Sequence, residues 1–314
     1  MTSCCTDGTV GPWAQEKLAY LKSYLNAYTQ VLLKQKWCKG TYYFDAFAGA
    51  GEAKLRKPGN SEEQSNIILP TIVEEDADFT EYIQGSPRVS LEIKHPFTHY
   101  FFVENKPDHI KKLKQLKNEY ATKREITIYP GEATKHVNTF IASVNNWGEY
   151  RAVAFLDPFG MQVPWTTICA IARKKSIEII LNLPIGTTIQ RLIKRDRGKM
   201  SKNDMERLTS YFGSEEWEQI VYNYTSPKQT SFLNDNESIL KYDDAAERLV
   251  EWYKSRLAKL FGFTAGPKLI KNTQGAHLYY LIWAGANKKG QEIAAYILGE
   301  RTSKKLLLHS RFVK

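Results

Sequence analysis

The feature that most limits the fold is a regular alternation of short apolar segments with helix-like segments. Segments rich in aliphatic and aromatic residues, each the length of a buried strand, occupy residues 42–45, 98–104, 125–129, 151–156 and 177–183. Helix-like sequence separates most of them, as in the lysine-rich stretch 107–120. Because parallel strands need long return connections, usually helices, this order predicts an α/β fold with a doubly wound parallel sheet.

The flanking segments complete this picture. Apolar residues recur at helical spacing in residues 13–36, which predicts an amphipathic helix. Residues 52–83 are polar and locally acidic, which favours a loop or flexible lid. Two apolar segments near the end, 263–270 and 276–283, predict an antiparallel pair joined at Gly275.

We therefore expect four parts in the chain. They are an N-terminal helical extension (1–40), a Rossmann-like core (41–183) that contains the lid (52–84), a helical insertion (184–261), and C-terminal strands with a helix that complete the core (262–314). At 314 residues the chain is long enough to bury a sizeable hydrophobic core.

Composition narrows the class of protein. The 44 basic and 34 acidic residues give a net charge of +10, which favours anionic partners such as nucleic acid but also serves solubility. The four cysteines show neither Cys-x-x-Cys pairing nor histidines at zinc spacing, so we expect no disulfide framework and no metal site. No apolar run approaches membrane-helix length, and residues 1–11 lack a signal-peptide core. A soluble, cytoplasmic protein is expected.

A glycine turn follows the first predicted strand. The sequence reads Asp45-Ala46-Phe47-Ala48-Gly49-Ala50-Gly51, and its small residues allow the backbone to approach a ligand. Ligands of open α/β sheets bind at the carboxyl ends of the strands. Phe47 stands where a dinucleotide fingerprint would have its first glycine, which favours a nucleoside cofactor over one with a pyrophosphate.

Three further strands are also followed by carboxylates. Glu104 ends the second strand, Glu132 follows the third and Asp157 follows the fourth. A carboxylate after the second strand can accept from both ribose hydroxyls, and one after the third can accept from the exocyclic amine of adenine. Each acid alone is more often solvated or a helix cap. Their shared placement at strand ends favours an adenosine-like cofactor.

The order of these motifs resembles that of class I S-adenosylmethionine-dependent methyltransferases, whose seven-stranded sheet also ends in an antiparallel pair. Shorter strings are similar to the three-Cys-motif partner proteins (TcmP), bacterial proteins with this fold that associate with a partner carrying a cysteine motif. These strings are the Asp45 to Gly51 turn, Gly85-Ser86-Pro87, Phe102-Val103-Glu104-Asn105, Asp157-Pro158-Phe159-Gly160 and Tyr279-Tyr280-Leu281. The resemblance implies S-adenosylmethionine as cofactor and a three-Cys-motif protein as partner, but no particular substrate.

The methyltransferase pattern, carried onto this sequence, also implies site residues. The implied cofactor contacts are Asp45, Phe47, Ala48, Gly49, Gly51, Glu104, Asn105 and Glu132. Asp157, Pro158 and Phe159 would face the methyl group, with Asp157 as the catalytic residue. Amino-methyltransferases place two prolines and an aromatic after the acid or amide here. This chain departs from that pattern at Phe159 and Gly160.

The Asp157 to Gly160 string has two interpretations. It is similar to the corresponding loop of tRNA guanine N2-dimethyltransferases, which implies an exocyclic amine of a nucleobase as methyl acceptor. Alternatively, the string is a strand-ending turn in which Phe159 covers the core, because Asp, Pro and Gly all favour turns. Ser86 is predicted to cap a helix that begins at Pro87.

Basic residues cluster after the fifth strand. Arg191, Lys194, Arg195 and Arg197 are predicted to bind the phosphates of an RNA or DNA substrate, with a solvated loop as the alternative. Aromatic residues at 211–224 fit base stacking and a helix core equally well. Two functions remain open: a methyltransferase, or a non-catalytic protein that keeps the fold as a platform for its cysteine-motif partner or for nucleic acid.

Overall fold

The computed structural model describes residues 9–55, 81–224 and 239–300. Its α-helices are α1 (Trp13–Leu32), α2 (Ser86–Leu91), α3 (Pro107–Glu119), α4 (Ala133–Ala142), α5 (Trp165–Ala172), α6 (Gln190–Leu192), α7 (Lys202–Phe212), α8 (Trp217–Val221), α9 (Ala245–Phe261) and α10 (Lys288–Ile297). Its strands are β1 (Thr9–Val10), β2 (Gly40–Asp45), β3 (Glu52–Leu55), β4 (Glu81–Gln84), β5 (His99–Glu104), β6 (Ile126–Pro130), β7 (Tyr150–Leu156), β8 (Ile177–Leu183), β9 (Phe263–Lys271) and β10 (His277–Gly285).

Seven of these strands form the main sheet, in the order β6, β5, β2, β7, β8, β10, β9. The first five are parallel neighbours, whereas β10 runs antiparallel to both β8 and β9. This confirms the predicted α/β fold: a Rossmann-like sheet of the class I methyltransferase type, mostly parallel with a C-terminal antiparallel pair. Along the chain, the helices α6 to α9 follow β8 and precede β9, where the helical insertion is expected.

Helices cover both faces of this sheet. Alternate residues of a strand point to opposite faces, so Phe44 and Tyr43 enter separate hydrophobic clusters. One cluster packs against α4, α5 and α9, and the other against α1, α3 and α10. All seven residues of β8 are buried, which explains why five of them are apolar rather than alternating with polar residues; the other two, Glu178 and Asn182, are buried polar residues.

A second, smaller sheet corrects the prediction of a loop at residues 52–83. Strands β3 and β4 pair antiparallel, and β1 adds to β3 in parallel, giving the order β1, β3, β4. The loop prediction is therefore wrong at both ends of the segment, and its middle, 56–80, lies outside the described residues. These short strands are held together by hydrogen bonds between their backbones. The polar composition of the segment gives no indication of that pairing.

Helix α1 lies against α10, α2 and β9 and so forms part of a layer on the main sheet. No helix within residues 9–55, 81–224 or 239–300 has the length and apolar character needed to cross a membrane.

Candidate functional site

The glycine turn lies at the carboxyl edge of β2. Gly49 and Gly51 have φ values of 64° and 81°, a left-handed region that side chains disfavour. A Cβ built on Gly49 would have no atom of the described residues within 4 Å, so the backbone there borders open space. The turn is anchored on both sides, because the Ala48 amide donates to the Val103 carbonyl at 3.0 Å and the Gly85 amide to the Gly51 carbonyl at 2.8 Å.

Asp45 is a fully buried carboxyl group at the start of this turn. The Tyr43 hydroxyl donates to Oδ2 at 3.1 Å, and the Phe47 amide donates to Oδ1 at 3.2 Å. Burial raises the pKa of Asp45 to about 7, because loss of water outweighs the hydrogen bonds that favour the charged form, and the Asp157 charge adds to the rise. The charge of Asp45 therefore changes near neutral pH.

The side chain of Ser86 contacts this carboxyl group and does not cap a helix. The helix α2 begins at Ser86, its N-cap is Gly85, and no side chain caps it, so the prediction that Ser86 is the cap is wrong. The Ser86 side chain instead hydrogen-bonds Asp45. A Cβ on Gly85 would lie 2.9 Å from the backbone carbon of Gly51, and this close contact brings the start of α2 against the glycine turn.

Glu104 ends β5, directly beside β2. Its side chain is buried, and Oε1 accepts from the amides of Asn105 and Lys106, both at 2.8 Å. Its Oε2 lies 3.4 Å from Nδ1 of His109. The carboxylate is thus held in one orientation at the start of α3.

Glu132 differs from the other strand-end acids. It is the N-cap residue of α4, its side chain is 64% exposed, and it pairs with Lys135 at 3.1 Å. Asn105, which is also a predicted cofactor contact, is exposed as well. The structure therefore brings Asp45, Glu104 and Asp157 to the ends of three adjacent strands, and places Glu132 and Asn105 at the surface.

Asp157 lies in a polar cluster that sequence reasoning missed. Its Oδ1 accepts from the side-chain amide of Asn182 (Nδ2) at 2.7 Å, and its Oδ2 accepts from the Lys17 ammonium. The Lys17 Nζ also lies 5.3 Å from the centre of the Tyr279 ring. Helix α1, the loop after β7, strand β8 and strand β10 each contribute one of these residues. Helical spacing marks Lys17 only as a polar position, so nothing in the sequence indicates that it reaches Asp157.

Phe159 does not cover the core. Its side chain is 87% exposed, so the expectation that Phe159 covers the core is wrong, whereas a strand-ending turn at these residues is not contradicted. The Phe159 amide donates to Oε1 of Gln162 at 3.0 Å, which shapes the loop. Phe159 and Gly160 border an open depression of about 580 Å³; its other lining residues are Met161, Gln162, Thr188, Asn203, Glu206, Arg207 and Ser210. An exposed ring beside polar groups suits contact with a nucleobase.

The basic segment after β8 contains two kinds of residue. Arg191, Lys194 and Arg195 are exposed, as phosphate contacts require. Arg197 instead pairs with Glu218, with Nε and Oε2 2.7 Å apart. Its guanidinium therefore already has an acidic partner and suits a structural role.

The aromatic residues of the helical insertion mostly form core. Tyr211, Phe212, Trp217 and Tyr222 are buried, whereas Tyr224 is 47% exposed. Of the two interpretations of these residues, the helix core is therefore correct for the four buried rings.

Comparisons with known proteins add little. No protein-family model matches the chain, and no curated protein matches it. Among solved structures, it is similar to the crystal structure of protein LPL1258 from Legionella pneumophila str. Philadelphia 1, which is described by the family model DUF519. That similarity covers 88% of this chain and 97% of the other, with 14% identity and a TM-score of 0.39. A similarity this distant carries no functional argument.

Proposed function

We propose that the chain is an S-adenosylmethionine-dependent methyltransferase that acts on an exocyclic amine of a nucleobase. One observation carries the proposal: Asp45 with its glycine turn, Glu104 and Asp157 lie at the carboxyl ends of the adjacent strands β2, β5 and β7. This edge of a parallel sheet is where such folds bind nucleoside ligands.

The residues at this edge fit the cofactor. The open space at Gly49 leaves room for the methionine part, and the buried Asp45 carboxyl can offset its positive charge. Glu104, held by backbone amides, can accept from the ribose hydroxyls. Asn105 and Glu132 would contact the adenine at the surface of the site. When bound, S-adenosylmethionine supplies an electrophilic methyl group.

The protein's own residues would align and polarise the acceptor amine. Each oxygen of Asp157 has one hydrogen-bond partner and keeps acceptor capacity, so this carboxylate can accept an N–H of the amine. Such a bond raises the electron density on the nitrogen and orients its lone pair. Phe159 would stack on the base, and Arg191, Lys194 and Arg195 would bind flanking phosphates.

Binding of the cofactor product tests the first half of the proposal. Calorimetry with S-adenosylhomocysteine should show saturable binding to the folded wild-type protein. Absence of binding would contradict the proposal and would favour the alternative of a non-catalytic platform for a three-Cys-motif partner or for nucleic acid.

Transfer of a radiolabelled methyl group to RNA, DNA and protein tests the second half. RNA or DNA should be labelled, and Asp157→Asn should lower the rate while S-adenosylhomocysteine still binds. Asp108→Asn, which changes an exposed acid on α3, is the matched control. An Asp157→Asn variant as active as wild type would remove Asp157 from the mechanism.

A further inference from the structure

Lys17 is separated from Asp157 by 140 positions, yet its ammonium contacts this carboxylate directly. The two side chains are only 12% and 20% exposed, so the ion pair is largely withdrawn from water. Lys22, on the same helix, is exposed. Helix α1 thus places one lysine at the end of β7 and leaves another in solvent.

Folding stability alone is a weak reason for this placement. Removing two charges from water costs free energy that their attraction repays only in part, so a buried ion pair adds little net stability. The pair does restrict geometry, because one oxygen of Asp157 is bound by Lys17 and the other by Asn182. The carboxylate is therefore held by partners from two different elements.

The surroundings of the pair also fix the lysine. The Tyr279 ring lies 5.3 Å from Nζ, within the range of a cation–π contact. The Tyr279 hydroxyl and Oδ1 of Asn182 are buried and, in the described part of the chain, have no hydrogen-bond partner. Polar groups with unused hydrogen-bonding capacity therefore lie around Asp157, and they are available to a polar ligand bound there.

We propose that Lys17 is a positioning residue of the acceptor site: with Asn182 it holds the Asp157 carboxylate in the orientation that receives the acceptor amine. This inference rests on the proposed methyltransferase function. It assigns a role in that site to the N-terminal helix, which lies outside the strand-end motifs. Lys17 would act through Asp157, without itself contacting the transferred methyl group.

Substitutions at Lys17 test the inference. Lys17→Met keeps the length of the side chain and removes its charge, Lys17→Arg keeps the charge, and Lys22→Met is the matched control on the same helix. The assays are initial rates of tritiated methyl transfer to unfractionated cellular RNA and DNA, calorimetric binding of S-adenosylhomocysteine, and thermal unfolding of each variant.

We expect Lys17→Met to lower kcat on the order of 10²-fold, because a misplaced catalytic group costs about that much. Binding of S-adenosylhomocysteine should be unchanged, since Lys17 acts on the acceptor side. Lys17→Arg should restore part of the lost rate, and Lys22→Met should match wild type. A purely structural role would affect unfolding and cofactor binding together, without rescue by arginine.

Each outcome is decisive. If Lys17→Met folds and transfers methyl groups as fast as Lys22→Met, the inference is overturned and the proposed function stands. If Lys17→Met does not fold, Asn182→Ala, which releases the other oxygen of Asp157, replaces it, and a wild-type rate overturns the inference. If wild type itself binds no S-adenosylhomocysteine, or binds it and transfers nothing, the proposed function and the inference both fail.

Discussion

Replacing Asp45 with asparagine should stabilise the protein at neutral and higher pH and change its stability little in acid. Asp45 is fully buried, and burial raises its pKa from 3.8 to about 7 despite hydrogen bonds from Tyr43, Phe47 and Ser86. Asparagine has nearly the same shape and can hydrogen-bond to the same three groups. The substitution therefore removes a buried charge with little change in packing.

The sign follows from proton binding. Between about pH 4 and pH 7 the folded protein holds a proton on Asp45 that the unfolded chain has released, so stability falls as pH rises through this window. Each pKa unit is worth about 1.4 kcal/mol, so a rise of about three units costs about 4 kcal/mol once both states are ionised. Below the unfolded pKa both states are protonated and the cost disappears.

Urea denaturation of wild type and Asp45→Asn at several pH values measures this cost. The variant should gain about 4 kcal/mol over wild type above about pH 7, and the gain should shrink to near zero at about pH 4. Taking the difference cancels titrating groups that do not interact with Asp45, including Glu178, whose pKa burial also raises to about 7. Asp108→Asn, at an exposed position, should show no such pH dependence. A gain that is the same at every pH would refute the reasoning.

Three further substitutions test the geometry of the site. Gly85→Ala places a methyl group 2.9 Å from the backbone of Gly51 and should lower the free energy of unfolding by about 1–3 kcal/mol. Gly160→Ala, whose methyl group would have its nearest neighbour at 3.6 Å, should leave the free energy of unfolding nearly unchanged. Equal effects of the two substitutions in thermal unfolding would contradict this reasoning. Phe159→Ala removes an exposed ring, so stability should change by less than about 0.5 kcal/mol. Its affinity for a fluorescent oligoribonucleotide should fall by about 1–3 kcal/mol, and unchanged affinity would exclude stacking.

Most of the main sheet could be predicted because its strands carry a strong local signal. A parallel strand buried on both faces is mostly apolar along its length, and β8, in which only Glu178 and Asn182 are polar, occupies the same residues, 177–183, that the sequence predicts. The short strands β3 and β4 lack this signal. Their pairing depends on which backbone segments come together in the folded protein, and their polar side chains do not indicate it.

The site was partly predictable for the same reason. Acids that follow apolar strands can be located in a sequence, and Asp45, Glu104 and Asp157 lie at the sheet edge where strand ends meet. Which groups contact these acids cannot be predicted from the neighbouring residues in the sequence. The serine before Pro87 fits a helix cap, yet in the structure the N-cap is Gly85, which packs against Gly51, and the Ser86 side chain hydrogen-bonds Asp45.

By itself the sequence determined the order along the chain of the strands in the main sheet, the glycine turn after β2 and the acids at the strand ends, because these depend on the residues of one segment at a time. Tertiary structure decided the burial that raises the pKa of Asp45, the contact of Lys17 with Asp157 and the exposure of Phe159. Each of these depends on solvent access or on partners distant in the chain, and such properties arise only when the packed layers exclude water and bring those partners together.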